Sequence, residues 1–212
     1  MAEELHPLET ITSLLLIRHG HTQATELGLL YSDPTLPITE KGAEQASLAA
    51  QWATRFNAEV LVRGTALRVE QSAVPLAELT GLTPQVVQGF EEWQVGKWEG
   101  RTYLDIKKND PEEYKAWSED PINNAPPGGE SIDDLTVRIG TSLQKLLANP
   151  ELAGKKIAMV THSGIIRSVI LHALDIPVIN FWRVAVPTGS ISRIDFSKNF
   201  ATLHYCGVKP EA

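Results

Sequence analysis

One sequence pattern restricts the fold of this chain most, and it occurs twice. In each case, an apolar run leads into a histidine. Residues 13–17 lead directly into Arg18 and His19, and residues 157–160 are followed after one threonine by His162. Short runs of branched apolar residues are typical of strands buried on both faces of a parallel sheet. Because sites in such sheets lie beyond the carboxyl ends of the strands, we expect both histidines on one rim. The sequence therefore predicts a two-histidine active site.

The rest of the chain alternates predicted strands with predicted helices, which indicates an α/β fold. Further strands are predicted at 60–62, 85–87, 191–194 and 201–205, and helices at about 39–56, 65–80, 101–120 (two short ones), 131–146 and 164–174. Residues 121–129 are rich in proline, asparagine and glycine and are predicted to form a loop over the site. Without a repeat or a linker, residues 1–212 are expected to form a single domain, with residues 1–12 as an N-terminal tail.

Composition excludes several classes of function. The chain has 212 residues, 42% of them hydrophobic, and a formal charge of −7, which argues against nucleic-acid and anionic-membrane partners. Its single cysteine, Cys206, permits neither an intramolecular disulfide nor a cysteine-based zinc site. Residues 1–12 contain three glutamates and no basic region, unlike a secretion signal. No apolar run approaches the length of about 20 residues that spans a bilayer. A cytoplasmic location is the expectation.

The residues around the two histidines have the chemistry that phosphoryl transfer requires, namely a nucleophile, cations around the charged oxygens and an acid for the leaving group. A neutral His19 can attack phosphorus and form a phosphohistidine that water then hydrolyses. Arg18 and Arg68 offer planar forks that match phosphate oxygens. His162, when protonated, adds a donor, and the helix after Gly164 is expected to direct its amides toward the site.

The leaving alcohol needs a proton, and Glu92 is the carboxyl group that the sequence favours as the acid. It lies in a tryptophan-flanked loop, where burial favours the protonated form of a carboxyl group. Glu91, Glu99 and Glu130 remain rivals for this role. The tryptophans Trp93 and Trp98 are predicted to pack in the core.

Five short motifs occur together in an order that resembles the histidine phosphatase superfamily, also called phosphoglycerate mutase-like. They are Arg18-His19-Gly20, residues 67–73, Glu92 with residues 96–100, residues 127–131 and residues 161–164, and the resemblance covers roughly residues 14–175.

The resemblance implies a fold, a mechanism and a set of site residues. The fold would be a three-layer α/β sandwich with a central, mostly parallel sheet flanked by helices. His19 would carry the phosphoryl group, Glu92 would be the acid, and Arg18, Arg68 and His162 would form the phosphate pocket. Thr25 and Ser163 are expected to add hydroxyl donors to the phosphate. No metal or organic cofactor is implied.

Three positions depart from the usual family pattern. His21 stands where glutamate or glutamine is common, Thr25 where asparagine is common, and Arg63-Gly64 where a serine pair is usual. The arginine is expected either to move the start of the next helix or to add a positive charge near the mouth of the site. We expect these changes to alter substrate preference and to leave the core chemistry intact.

The sequence leaves more than one function open. Residues 128–131 and the short segment between Glu92 and Glu130 resemble the phosphatase branch of the family more than its mutases. The resemblance therefore implies a phosphatase that acts on a small phosphorylated metabolite, with a mutase as the alternative. A non-catalytic module that binds phosphate esters is the alternative outside enzymes. His19-Gly20-His21 could also be the first metal-ligand pair of an amidohydrolase-type metal hydrolase. That class has a (β/α)₈ barrel, which typically needs about 250 residues, and 212 is at the low end. Arg18 would also repel a metal cation. A homodimer is possible because dimers are frequent in the family.

Overall fold

The computed structural model describes residues 11–211 as one six-stranded sheet with helices on both faces. The strands are β1 (Thr12–Arg18), β2 (Val60–Arg63), β3 (Gln85–Val86), β4 (Lys156–Thr161), β5 (Ile191–Phe196) and β6 (Ala201–Val208). The helices are α1 (Gln23–Leu27), α2 (Glu40–Ala53), α3 (Leu67–Thr80), α4 (Tyr103–Asn109), α5 (Pro111–Glu119), α6 (Ile132–Leu147) and α7 (Ser163–Ala173). Three 3₁₀ turns lie at Thr54–Phe56, Gly96–Trp98 and Val178–Arg183.

The sheet has the order β3-β2-β4-β1-β5-β6, and its first four strands are parallel. Strands β1 and β4 are direct neighbours, and Arg18 lies opposite Thr161 in their register. The amide of His19 donates to the carbonyl of Thr161 at 2.9 Å. Each histidine is therefore the first residue beyond its strand, and adjacent strands deliver both to the same edge.

Alternate residues of β1 belong to two different hydrophobic cores, as expected for a strand covered on both faces. Leu14 and Leu16 pack in the core that includes α6 and α7, whereas Leu15 and Ile17 pack in the core beneath α2 and α3. This arrangement confirms the predicted three-layer sandwich with a mostly parallel central sheet.

Local signals explain where the flanking helices begin and how closely they pack. Four alanines of α2, at positions 46, 49, 50 and 53, are buried and let the helix approach its neighbours. Ser131 and Asp134 form the predicted capping box at the start of α6, in which each side chain bonds the other's backbone amide.

The structure differs from the sequence prediction mainly in short elements. The five-residue helix α1 and the turns at Gly96–Trp98 and Val178–Arg183 were not predicted, because such short elements carry no detectable periodicity. Thr12 belongs to β1 and not to the tail, and residues 1–10, with the tail residue His6, lie outside the described residues. None of the helices within residues 11–211 is both long enough and apolar enough to cross a bilayer.

Candidate active site

His19 and His162 face each other at the edge of the sheet. Their ring centroids are 5.3 Å apart, and each residue is 1% exposed. Nδ1 of His19 lies 2.8 Å from the carbonyl oxygen of Gly20, which can only accept a hydrogen bond. Nδ1 therefore carries the proton, and Nε2 keeps a free lone pair in the neutral ring.

The loop after β1 is fixed by close contacts on both sides of Gly20. The Gly20 amide donates to Oγ of Ser72 at 3.0 Å, and that hydroxyl donates to the carbonyl of Arg68 at 2.6 Å. A methyl group on Gly20 would overlap the backbone of Gly42 at the start of α2. The orientation of His19 thus depends on glycine at position 20 and on the packing of α2 and α3.

Burial and nearby positive charge keep both histidines neutral. Burial lowers the pKa of His19 well below its ordinary value of 6.5, and His162, Arg18 and Arg68 lower it further. Burial, Arg68 and Arg18 have the same effect on the pKa of His162. A neutral His19 is the form that can act as a nucleophile. The lowered pKa favours a neutral His162, which donates one N–H bond where the protonated ring would donate two.

Arg18 and Arg68 surround the histidine pair with hydrogen-bond donors. Each guanidinium is anchored by one bond of 2.6 Å, from Arg18 Nη1 to the carbonyl of Val186 and from Arg68 Nη1 to the carbonyl of Asp33. Within residues 11–211, Arg18 Nε, Arg68 Nε and Nη2, and His162 Nδ1 are buried without a hydrogen-bond partner. Buried donors without acceptors are costly, and an anion with several oxygens would satisfy them.

Tyr31 covers the second arginine and was not predicted as a site residue. Its ring lies 4.8 Å from Cζ of Arg68, and its centroid is 6.4 Å from that of His19. The Tyr31 hydroxyl lies 3.2 Å from Oγ1 of Thr25, which also bonds Oγ1 of Thr22 at 3.0 Å. Thr25 therefore lies next to the site and positions Tyr31, while its predicted contact with phosphate stays a prediction.

Glu92 lies against the N-terminus of α7, the helix that begins at the residue after His162. Its Oε1 accepts from the amide of Trp93 at 3.0 Å, and its Oε2 lies 3.5 Å from both Oγ of Ser163 and the amide of Gly164. The amide of Gly164, near the start of α7, thus faces Glu92, while a contact of the helix amides with phosphate stays a prediction. A side chain at position 164 would overlap Oε1 of Glu92, so only glycine leaves room for this carboxyl group.

The three rival carboxylates are held elsewhere. Glu99 accepts from the amide and hydroxyl of Ser32 at 2.8 and 2.5 Å. Glu130 forms an ion pair with Arg138 at 2.6 Å, and Glu91 lies 3.8 Å from the same guanidinium. Glu92 is therefore the glutamate of this group that lies at the start of α7 and also lines a cavity.

The cavity beside Glu92 has a volume of about 180 Å³, and its lining is mostly apolar and rich in aromatic rings. Its walls include Tyr31, Trp93, Tyr103 and Trp182, with Ser163 and Arg167 on the side of α7. Trp93 contributes to this wall, whereas Trp98 is 1% exposed and packs on Trp117 with centroids 5.3 Å apart, as predicted. The predicted cover loop at 121–129 does not line this cavity; its Pro127 carbonyl accepts from the Lys97 amide at 2.9 Å.

Two of the unusual positions have partners that account for them. His21 is buried, and its Nδ1 lies 2.9 Å from the hydroxyl of Thr39, the residue that caps α2. Arg63 forms an ion pair with Glu70 at 3.0 Å and donates to the carbonyl of Gly64 at 3.0 Å. The extra charge at Arg63 is therefore paired within the fold.

Tyr31, Arg167 and Trp182 are the residues at the site that sequence reasoning missed. For Arg167 a signal existed, because it follows Ser163 by four positions and lies on the same face of a helix. Tyr31 and Trp182 lie in segments without periodicity, and no sequence signal places them near the histidines.

Comparisons with known proteins agree with this geometry. The model of the family described as Histidine phosphatase superfamily (branch 1) matches residues 14–208. The chain is 29% identical over 190 residues to adenosylcobalamin/alpha-ribazole phosphatase of Salmonella typhimurium, covering 90% of this chain and 93% of the relative. It is 30% identical over 194 residues to glucosyl-3-phosphoglycerate phosphatase of Mycobacterium tuberculosis, covering 89% and 86%.

Two solved structures are similar over nearly their whole length. The alpha-ribazole phosphatase from Shigella flexneri has a TM-score of 0.86 at 26% identity, with 94% of this chain and 98% of that chain covered. Mycobacterial glucosyl-3-phosphoglycerate phosphatase in complex with VO3 has a TM-score of 0.81 at 26% identity, with 93% and 99% covered.

Proposed function

Because the chain belongs to the histidine phosphatase superfamily, we propose that it hydrolyses the phosphate monoester of a small metabolite through a phosphohistidine at His19, without a metal ion. The observation that carries this proposal is the free Nε2 of a neutral His19 among the unpartnered donors of Arg18, Arg68 and His162. A phosphoryl group has the charge and the acceptor oxygens that these donors require.

In the first proposed step, Nε2 of His19 attacks phosphorus and the bond between phosphorus and the ester oxygen breaks. The protonated carboxyl group of Glu92 gives its proton to the leaving oxygen, so the alcohol departs neutral. Arg18, Arg68 and His162 donate to the three oxygens of the transferring group, where negative charge is concentrated.

In the second step, the carboxylate of Glu92 takes a proton from water as that water attacks phosphorus. The phosphorus–nitrogen bond breaks, inorganic phosphate is released, and His19 regains its lone pair. Glu92 thus acts first as acid and then as base. Glu92 lies beside Ser163 and Gly164 and lines the cavity, and in this proposal the cavity is the side from which the alcohol leaves and water enters.

The relatives favour hydrolysis over a mutase reaction, because the proteins from Salmonella typhimurium and Mycobacterium tuberculosis are both named as phosphatases. Their names also supply two first candidates for the substrate, an alpha-ribazole phosphate and a glucosyl phosphoglycerate. A mutase remains the alternative within the family, and it would return the phosphoryl group to an isomer and release no phosphate.

A binding module and a metal hydrolase have less support. A non-catalytic phosphate-binding module would not need an acid beside the pocket, and Glu92 lies there. For a metal hydrolase, the described part of the chain offers no cluster of three or more histidine, cysteine, aspartate or glutamate side chains. The rings of His19 and His21 bond to the Gly20 carbonyl and the Thr39 hydroxyl, respectively. The proposed setting is a single domain in the cytoplasm that acts on a small molecule, and dimerisation stays a prediction.

The proposal is tested by trapping the phosphoenzyme. The protein is mixed with a labelled phosphate ester, quenched rapidly and examined for an acid-labile, base-stable phosphoryl group. We expect this group in the wild type and in His204→Ala, whose histidine lies on the half-exposed strand β6, and its loss in His19→Ala. Absence of the phosphoenzyme together with unchanged turnover in His19→Ala would refute the mechanism. Accumulation of an isomer in place of free phosphate would indicate a mutase.

A further inference from the structure

Arg167 has no role in the proposed mechanism, although it lines the same cavity as Glu92. It extends from α7, one helical turn after Ser163. Its Cζ lies 5.5 Å from the ring centroids of both Phe181 and Trp182, and its Nε donates to the carbonyl of Val184 at 2.9 Å. The guanidinium is therefore held on one edge and packed against aromatic rings.

This guanidinium lacks a carboxylate partner within 4.0 Å among residues 11–211. Burial lowers the pKa of Arg167, and Arg18 lowers this pKa further, whereas Glu92 and Tyr103 raise it. The guanidinium nevertheless stays charged, as arginines do in proteins. By contrast, Arg138 and Arg193 have ion-pair partners in the same chain. A half-buried cation that has no carboxylate partner in the fold is well placed to pair with a bound anion.

The geometry of the free edge indicates which anion fits. Because Nε is taken by Val184, the Nη1 and Nη2 groups remain, and two parallel N–H bonds from such an edge match the two oxygens of a carboxylate. Among the described residues that line the cavity, Glu92 is the only other charged one, and the reaction requires its carboxyl group.

The remaining walls indicate the shape of the group that carries the carboxylate. Trp93, Tyr103 and Trp182 present aromatic surface, and Trp93 meets Trp182 edge to face with centroids 6.0 Å apart. The volume of about 180 Å³ compares with about 150 Å³ in an apolar cavity that binds benzene. The cavity is thus large enough for one planar ring.

We propose that this cavity binds the leaving alcohol of the substrate, and that the preferred alcohol has a planar ring bearing a carboxylate that pairs with Arg167. This inference rests on the proposed phosphatase activity, because it assigns the non-phosphate part of the same ester. The phosphate lies on the histidine side of Glu92, the ring lies between the aromatic walls, and the carboxylate reaches the Nη edge.

A matched pair of esters tests the subsite. 4-Carboxybenzyl phosphate and 4-carbamoylbenzyl phosphate have almost the same shape but differ in charge, and the methylene group insulates the leaving oxygen from the substituent. We expect the wild type to prefer the acid in kcat/KM by about tenfold or more, since a hydrogen bond to a charged group contributes at least that much. Arg167→Gln should abolish the preference, and Arg167→Lys, which keeps the charge but loses the fork, should retain part of it.

Arg183→Gln is the matched control, because Arg183 is an exposed arginine in the neighbouring 3₁₀ turn and does not line the cavity. It removes the same charge and should leave the ratio of the two kcat/KM values unchanged.

The wild type alone already tests the subsite. If it hydrolyses both esters equally well, the subsite is wrong while the phosphatase proposal stands. An equal ratio in the wild type and Arg167→Gln also refutes the subsite. If the wild type hydrolyses neither ester and forms no phosphoenzyme with any ester, both proposals fail.

Discussion

Replacing Gly164 with alanine should separate acid catalysis from the stability of the fold. Gly164 is the second residue of α7, and a methyl group there would overlap Oε1 of Glu92 and lie 3.3 Å from Cδ2 of Leu135. The contact with Glu92 is with the end of a flexible side chain, so the carboxyl group can rotate away. We therefore expect Glu92 to leave its place beside the amide of Gly164 while the backbone stays.

The expected cost to stability is small. Alanine is favoured over glycine within a helix by about 0.5–1 kcal/mol, and Leu135 needs to shift by only a few tenths of an ångström to relieve its contact. These effects oppose each other, so the free energy of unfolding should stay within about 1 kcal/mol of the wild-type value.

The expected cost to catalysis is large and selective. A positioned general acid contributes about 10²–10⁴-fold to the rate. For esters of alkyl alcohols, which need the proton, kcat should therefore fall by about 100-fold, which corresponds to about 2.7 kcal/mol in the activation barrier. The nitrophenolate of a nitrophenyl ester is a good leaving group that departs without protonation, so kcat for such esters should change much less.

The assay compares phosphate release from an alkyl phosphate and from 4-nitrophenyl phosphate, alongside urea unfolding. Glu92→Gln should show the same selectivity as Gly164→Ala. Gly64→Ala is a matched control, because an added methyl group there meets no atom closer than 3.6 Å, and it should show no selectivity between the two esters. Equal slowing of both esters in Gly164→Ala, or an unchanged rate with the alkyl ester, would refute the role of Glu92 and point to another acid.

Three further outcomes are expected. The free energy of unfolding should fall as the pH drops below about 6.5, because the lowered pKa values of His19 and His162 mean that the unfolded chain binds more protons there; urea titrations should show a smaller drop in His162→Gln, and an identical drop would contradict the reasoning. Ser131→Ala removes the capping box of α6 and should lower the free energy of unfolding by about 1 kcal/mol, whereas an unchanged calorimetric Tm would argue against it. Arg68→Lys loses the planar fork and should weaken inhibition by vanadate about tenfold; equal inhibition would place the phosphate elsewhere.

Local patterns in the sequence were sufficient for the order of the main elements and for the histidine pair. The apolar runs before His19 and His162 predicted β1 and β4, and the rule for parallel sheets placed both histidines at one edge, which the register of Arg18 opposite Thr161 confirms. The capping box at Ser131 was also readable, because a cap depends on residues three positions apart. These features share one physical basis, namely interactions within a single element or a repeating period of side chains.

Only the tertiary structure decided which further residues surround the histidines. The sequence favoured Glu92 as the acid but left Glu91, Glu99 and Glu130 as rivals. Long-range contacts separate them, because Arg138 and Ser32 bind the three rivals and the start of α7 receives Glu92. The positions of Tyr31 over Arg68 and of Arg167 in the cavity depend on how distant loops and helices pack. Such contacts join residues far apart in the chain, so no local period encodes them.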